Sequence, residues 1–216
     1  MTTGSTQLNV AAVGWGRPDR DLQIARRLDW RYILPDPRLC KVTLIGRPEG
    51  ILFEALQRFS EKLTVIPGTG QRTQTTPADS DVVVVRSSEP GAVALASRAL
   101  RVGGHLYWEL GASRWRLSPR SCLRALRKHG FDEIEVYWCR PNFDKCLEMI
   151  PLRESSALTF ALTRRFGEKR RPMLRAAGRL LASTEILTRL MPCRSVVARK
   201  AGQWIEMGFR EPIPDD

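Results

Sequence analysis

The sequence predicts an α/β fold in which a doubly wound, mainly parallel sheet carries helices on both faces. Residues 41–60, KVTLIGRPEGILFEALQRFS, pass from a short apolar run through a turn at Gly46, Pro48 and Gly50 into an amphipathic helix. Further along, short runs rich in β-branched and aromatic residues alternate with helical stretches. Such alternation means parallel neighbours, because parallel strands need crossover connections that usually contain a helix.

The elements follow in order. Residues 19–28 read as a helix, with Leu22, Ile24, Ala25 and Leu28 at helical spacing, and Pro35 and Pro37 close this entry segment. Strands are predicted over 42–46, 63–66, 81–86, 105–110, 133–138 and 195–199, and helices over 50–59, 91–101 and 119–128. Residues 67–80, PGTGQRTQTTPADS, are polar and turn-rich where a full doubly wound sheet would place another helix and strand. The sheet is therefore expected to be abridged after its second strand, with a loop or one short strand there. Residues 155–191 carry Met173, Ala177, Leu180, Leu181, Leu187 and Met191 at helical spacing, broken near Gly167 and Pro172. They read as a helical insertion before the last strand. The chain is thus one domain: entry segment 1–40, core 41–154, basic helical insertion 155–191, last strand and tail 192–216.

At 216 residues and 43% hydrophobic content, the chain is long enough to bury a core as a single domain. The five cysteines, Cys40, Cys122, Cys139, Cys146 and Cys193, are scattered, odd in number and never in a CxxC or Cys/His cluster. That argues against a disulfide framework and a zinc site, and for reduced thiols in a cytoplasmic protein. No apolar run approaches 18 residues, and the first residues lack the pattern of a signal peptide. The net charge of +12 is concentrated late, where Arg164, Arg165, Lys169, Arg170, Arg171, Arg175 and Arg179 face only Glu168. This is either a solvated helix face or a surface for an anionic membrane leaflet, an acidic protein or, less favoured, nucleic acid.

Several pieces of the chain resemble the class I S-adenosylmethionine-dependent methyltransferases, and more narrowly those found with bacterial glycan and natural-product genes. Asp29-Trp30-Arg31 with Leu34-Pro35-Asp36-Pro37 resembles the entry segment of that group. Ala99-Leu100-Arg101-Val102-Gly103-Gly104-His105-Leu106 resembles the turn into its fifth strand, and Gly130-Phe131, Val136-Tyr137-Trp138 and Arg140-Pro141-Asn142-Phe143 resemble its sixth strand and exit. Ser195-Val196-Val197-Ala198-Arg199-Lys200 resembles the closing strand, which in that family runs antiparallel beside the sixth. The resemblance implies a Rossmann-like fold, S-adenosylmethionine as cofactor, and methyl transfer to a small-molecule or glycan acceptor. Three departures stand against it, one of them the abridged segment 67–80, where the family builds its adenine-binding wall. Arg47, Pro48 and Glu49 fill the turn the family keeps rich in glycine, and Ile66-Pro67-Gly68 lacks the acid that binds the ribose hydroxyls. They leave open a second reading, a methyltransferase-like protein without cofactor that serves as a binding or scaffold subunit. A nicotinamide or nucleotide-sugar enzyme is disfavoured by the lack of GxGxxG after the first strand.

Ligands of open α/β sheets sit at the carboxyl ends of the strands, which selects the candidate residues. For cofactor binding these are Gly46, Arg47, Glu49 and Gly50, with Glu49 facing a hydroxyl or amine and Arg47 a carboxylate; the alternative is a surface turn. Ser87, Ser88 and Glu89, just after Arg86, are the second cofactor group, and their alternative is the cap of a helix with Pro90 in its first turn. Glu109 is the catalytic candidate, as a general base or as a carboxylate that orients the acceptor. Trp138, Arg140 and Asn142, with Phe143, are expected to wall an acceptor pocket. His105 lies at the edge away from the ligand and His129 beside the helix-ending Gly130, so neither is expected to be catalytic. No metal ligands are expected.

Overall fold

The structure, a computed structural model, describes residues 18–67, 78–87, 91–110, 119–166 and 193–202. The element order is α1 (Pro18–Arg26), a short 3-10 helix (Asp29–Ile33), β1 (Lys41–Ile45), α2 (Gly50–Phe59), β2 (Lys62–Ile66), β3 (Ser80–Val85), α3 (Gly91–Ala99), β4 (Leu100–Leu110), α4 (Pro119–Lys128), β5 (Phe131–Arg140), β6 (Glu148–Pro151), α5 (Ser155–Phe166) and β7 (Arg194–Lys200). The strands form one seven-stranded sheet in the order β2-β1-β3-β4-β7-β5-β6. Parallel pairing joins β1 to β2, β1 to β3 and β3 to β4. β7 is antiparallel to both β4 and β5, and β6 is antiparallel to β5. This is the doubly wound, mainly parallel, Rossmann-like sheet with an antiparallel last strand.

Both faces of the sheet are covered, and Val82-Val83-Val84-Val85 shows why a continuous apolar run is needed there. Val82 and Val84 pack with Leu44, Tyr107 and Val197 against Leu28 and Trp30 of the entry segment and Leu52 and Leu56 of α2. Val83 and Val85 point the other way, packing with Leu106, Trp108 and Val196 against Ala92 and Ala96 of α3, Leu126 of α4 and Leu158 of α5. Trp30 stacks on Tyr107 with ring centroids 4.2 Å apart.

Three boundaries differ from the sequence expectation. The helix expected to reach residue 101 stops at Ala99, because β4 already starts at Leu100 and pairs with Ser80 before its register shifts. The Gly103-Gly104 pair sits in that irregular start, where a Cβ on Gly104 would lie 3.0 Å from the Asp81 carbonyl oxygen. β5 begins at Phe131, with a second register shift between Asp132 and Glu135. β6, four residues long, was not expected at all. No described strand follows β2 before β3; residues 68–77 of the expected loop lie outside the described residues.

Candidate functional site

The order β2-β1-β3 places the point where the sheet reverses its winding between β1 and β3, the position at which such sheets take ligands. Gly46 follows β1 there with φ +133°, a conformation that L side chains rarely adopt. A Cβ on it would come within 3.2 Å of the Arg86 Cβ, so the β1 turn and the end of β3 are packed against each other through a residue without a side chain. Gly50, at φ +78°, opens α2, and Glu49 precedes it as a helix cap whose side chain makes no capping bond. Arg47 and Glu49 are exposed.

Arg86 spans the crevice. One guanidinium N–H donates to the Glu49 carbonyl oxygen at 2.8 Å, and its Nε lies 3.6 Å from Glu109 Oε2. Glu109 is 8% exposed. Its other oxygen accepts from Arg27 Nη2 at 2.5 Å, and Arg27, just beyond α1, is 2% exposed. Arg27 Nε in turn donates to Asp144 Oδ1 at 3.0 Å, on the loop between β5 and β6. The result is a chain Arg86, Glu109, Arg27, Asp144, buried at its centre and open at both ends. Burial works against the charge on Arg27, but Glu109 beside it outweighs that and holds the guanidinium well above its ordinary value. Buried Tyr107 lies in the same neighbourhood, its phenol pushed up by burial and by Glu109.

Glu109 is thus brought to the crevice, but with each oxygen facing a guanidinium. This is the geometry of a carboxylate held in place by two guanidinium groups. Ser87 lies at the end of β3, where its carbonyl accepts the Trp108 indole N–H at 2.8 Å. Ser88 and Glu89 lie outside the described residues.

The expected acceptor wall falls elsewhere. Trp138 packs on the α3–α5 face with Trp108, whereas Glu109 follows Tyr107 on the α1–α2 face, since side chains alternate along a strand. Arg140 lies over the Trp138 ring at 4.9 Å and pairs with Glu148 at 3.3 Å. Asn142 accepts the Lys145 backbone N–H at 2.8 Å, closing a turn. Arg140 and Asn142 therefore support the β5–β6 hairpin and its turn, the loop that also carries Asp144.

Arg27 and Asp144 were missed from the sequence, as were three thiols gathered beside them. Cys139 Sγ lies 3.3 Å from Ser195 Oγ, its backbone N–H donates to the Cys193 carbonyl at 2.9 Å, and the Cys146 thiol donates to the Glu148 carbonyl at 3.4 Å. A helix-end arginine such as Arg27, followed by Leu28 and Trp30 in the core, is the one available signal, because its neighbours force it inward. Among the described residues, no group of three or more His, Cys, Asp or Glu is arranged to hold a metal ion. A groove of about 710 Å³ lined by His105, Arg127, Asp132, Glu133, Tyr137 and Arg199 opens at the opposite edge of the sheet, where β4 begins, away from the strand ends that carry ligand chemistry.

Of the basic insertion, Arg164 is described: it is exposed and pairs with Glu148 at 2.9 Å. Residues 167–179, with most of the expected cationic patch, lie outside the described residues, as do the side chains of Arg165 and Phe166. No described helix is long and apolar enough to cross a membrane.

No protein-family model matches the sequence, and no curated protein matches it. The solved structures it is similar to are S-adenosylmethionine-dependent methyltransferases at low identity. One is phosphoethanolamine N-methyltransferase 2 of Haemonchus contortus in complex with phosphomonomethylethanolamine and S-adenosylhomocysteine, with 14% identity, TM-score 0.44, 82% of this chain and 52% of that one covered. The chain thus spans about half the length of that enzyme. Another is a methyltransferase of Thermotoga maritima, with 13% identity, TM-score 0.44 and 82% and 89% coverage. A third is a tRNA methyltransferase of Aquifex aeolicus, with 12% identity, TM-score 0.42 and 85% and 69% coverage.

Proposed function

We propose that the chain is an S-adenosylmethionine-dependent methyltransferase that transfers a methyl group to an oxygen or nitrogen of a small molecule, a sugar, glycan intermediate or secondary metabolite. The observation that carries this reading is the sheet order, with antiparallel β7 between β4 and β5, joined to a positive-φ glycine at the β1 turn of the winding reversal. The closing antiparallel strand is the feature the resemblance implies.

The residues at the crevice fit the amino-acid end of the cofactor. Arg86, with N–H donors beyond those used on Glu49 and Glu109, and Arg47 suit its carboxylate; the free side chain of Glu49 suits its ammonium. The ribose end finds no carboxylate on β2, where half-buried Ile66 leads into Pro67. When bound, the cofactor supplies an electrophilic methyl. The chain's own residues then hold the acceptor in line and desolvated, and Glu109, fixed by Arg27 and Arg86, offers a stationary negative surface for the acceptor's O–H or N–H.

One observation favours the second reading, a methyltransferase-like binding or scaffold protein without catalysis: Arg86 crosses the crevice that a cofactor needs. Its basic surface from Arg164 onward would then hold an acidic protein or membrane partner, with affinity that falls steeply as salt is added. Calorimetric titration with S-adenosylmethionine and S-adenosylhomocysteine separates the two. On the first reading the protein binds saturably and Arg86→Ala weakens binding about tenfold or more. If the wild type shows no heat at millimolar ligand, the first reading fails; if Arg86→Ala then gains binding, the arginine is a plug.

A further inference from the structure

We propose that the outer surface of the α3–α4–α5 layer docks the protein on an anionic membrane surface, with Phe160 entering the headgroup region. The inference holds whether or not the crevice binds a cofactor. It starts from the composition of three helices. α3, α4 and α5 contain no aspartate or glutamate, yet α4, PRSCLRALRK, carries four cations. The three helices lie on one face of the sheet, because Ala92 and Ala96 of α3, Leu126 of α4, and Leu158 and Ala161 of α5 bury into the same core. Residues on their opposite sides therefore point away from the protein, and Arg98, Arg124, Arg127, Lys128, Phe160 and Arg164 are all exposed.

The two faces of the sheet differ in how their cations are neutralised. On the α1–α2 face Arg20 pairs with Glu54 and Arg58 with Asp21, each at 2.7 Å, so that surface closes its own charges. On the α3–α5 face Arg164 has such a partner in Glu148, at the start of β6. Among the described residues no carboxylate pairs with Arg98, Arg124, Arg127 or Lys128. Asp132 and Glu133, which follow α4, lie in the groove at the sheet edge, where Glu133 pairs with Arg199 at 2.9 Å. Solubility asks only for mixed charges, which repel one another less than a surface of a single sign does. An external layer of negative charge relieves the repulsion among these four cations.

Phe160 selects a lipid surface as that layer. It stands in the outward row Ser156, Phe160, Arg164 of α5 with 69% of its surface exposed. Leu147 is 70% exposed, and its neighbour Glu148 holds Arg164, one turn of α5 from Phe160. Apolar side chains set among cations suit a membrane interface: the cations meet lipid phosphates while the apolar groups leave water at the acyl boundary. A duplex backbone matches the cations but offers Leu147 and Phe160 no apolar medium. The contact is peripheral, since α4 and α5, of 10 and 12 residues, are short enough to lie on a leaflet and too short to span a bilayer.

The test is vesicle co-sedimentation of the full chain. At low ionic strength the protein should bind phosphatidylcholine vesicles containing about 30% phosphatidylglycerol about tenfold or more tighter than phosphatidylcholine alone, and about 0.5 M salt should remove most of the difference. Arg124→Gln with Lys128→Gln should weaken binding about tenfold or more, and Phe160→Ser about tenfold in a way that salt does not change. Arg20→Gln with Arg58→Gln removes as much net charge from the opposite face and should leave binding within about twofold. On anionic vesicles Lys128 should be protected from acetylation, while exposed Lys62 of β2 is modified at its free rate. This footprint uses the wild type, so a substitution that fails to fold leaves the test intact. No binding to the anionic vesicles, equal binding to both kinds, equal loss from the two double variants, acetylation of Lys128 unchanged by vesicles, or preferential binding of a DNA duplex at equal phosphate concentration would each overturn the assignment.

Discussion

The two halves of the sheet are built differently. On the β2-β1-β3 side the strands are parallel and most of their buried positions are valine, leucine and isoleucine, with Leu44, Ile45, Val83 and Val84 fully buried and one hydroxyl pair, Thr43 with Ser80, buried among them. On the β4-β7-β5-β6 side the pairing is antiparallel, and the α1–α2 face is lined near the strand ends by Glu109, Ser195 and Cys139 under Arg27. The first half secures the fold by apolar burial and carries the crevice residues Arg47, Glu49 and Arg86 just past its strand ends. The second carries buried polar groups, the Arg27–Glu109 pair and the Ser195–Cys139 contact, whose cost is met by mutual pairing. The parallel half thus frames the crevice with its turns, and the antiparallel half contributes Glu109 and the loop residue Asp144 to the charge chain beside it.

Removing a partner from the buried pair should have the largest effect. Arg27→Ala or Glu109→Ala should each destabilise the protein by about 3–5 kcal/mol in urea unfolding, because an uncompensated charge is left behind. The double variant Arg27→Met, Glu109→Leu should recover most of that loss; additive losses would show that the pair is not the unit the structure makes it. In the apolar half, Leu44→Ala should cost about 2–5 kcal/mol by the same measurement, and should do so equally at low and high salt. Gly46→Ala should follow, at about 1–3 kcal/mol, from backbone strain and the close approach of Arg86. A neutral result would mean that the β1 turn relaxes freely and cannot be the rigid side of the crevice.

The smallest effect is a pH slope. Burial opposes ionisation of Asp81, but the hydrogen bonds from Arg101 and from the Lys41 N–H prevail and hold its carboxyl below the ordinary value. A carboxyl lowered in the folded state contributes stability above its unfolded pKa, about 4, and loses it as pH falls through the folded value. Asp81→Asn should therefore flatten the decline in urea midpoint as pH falls below about 4. An unchanged slope would assign the ion pair at this end of β3 no role in acid sensitivity.

Legibility in the sequence followed the same division. The parallel half is readable because its strands are short runs rich in β-branched residues, and the Gly46 and Gly50 punctuation marks the turn into α2. Glu109 was placed at a strand end correctly, but its partners were not visible. Arg27 and Asp144 are separated from it by long stretches of chain, and their meeting is a product of the sheet order alone. β6 was invisible because four residues containing a proline carry no periodicity. Without that strand in view, the hairpin contacts of Arg140 and Asn142 carry no signal in the sequence.

The position of β7 has a consequence for how the protein is made. The last described strand in the chain lies near the middle of the sheet, between β4 and β5. Until residues 194–200 emerge and insert, β4 and β5 each present an unpaired edge, and the β5–β6 hairpin has no sheet to join. A nascent chain halted before that point therefore holds two half-sheets with open hydrogen-bonding rims, the species most inclined to pair with a neighbour on the same polysome. Folding yield should thus depend on the speed with which the final segment is synthesised and docked, and chaperone demand should be concentrated in that short interval.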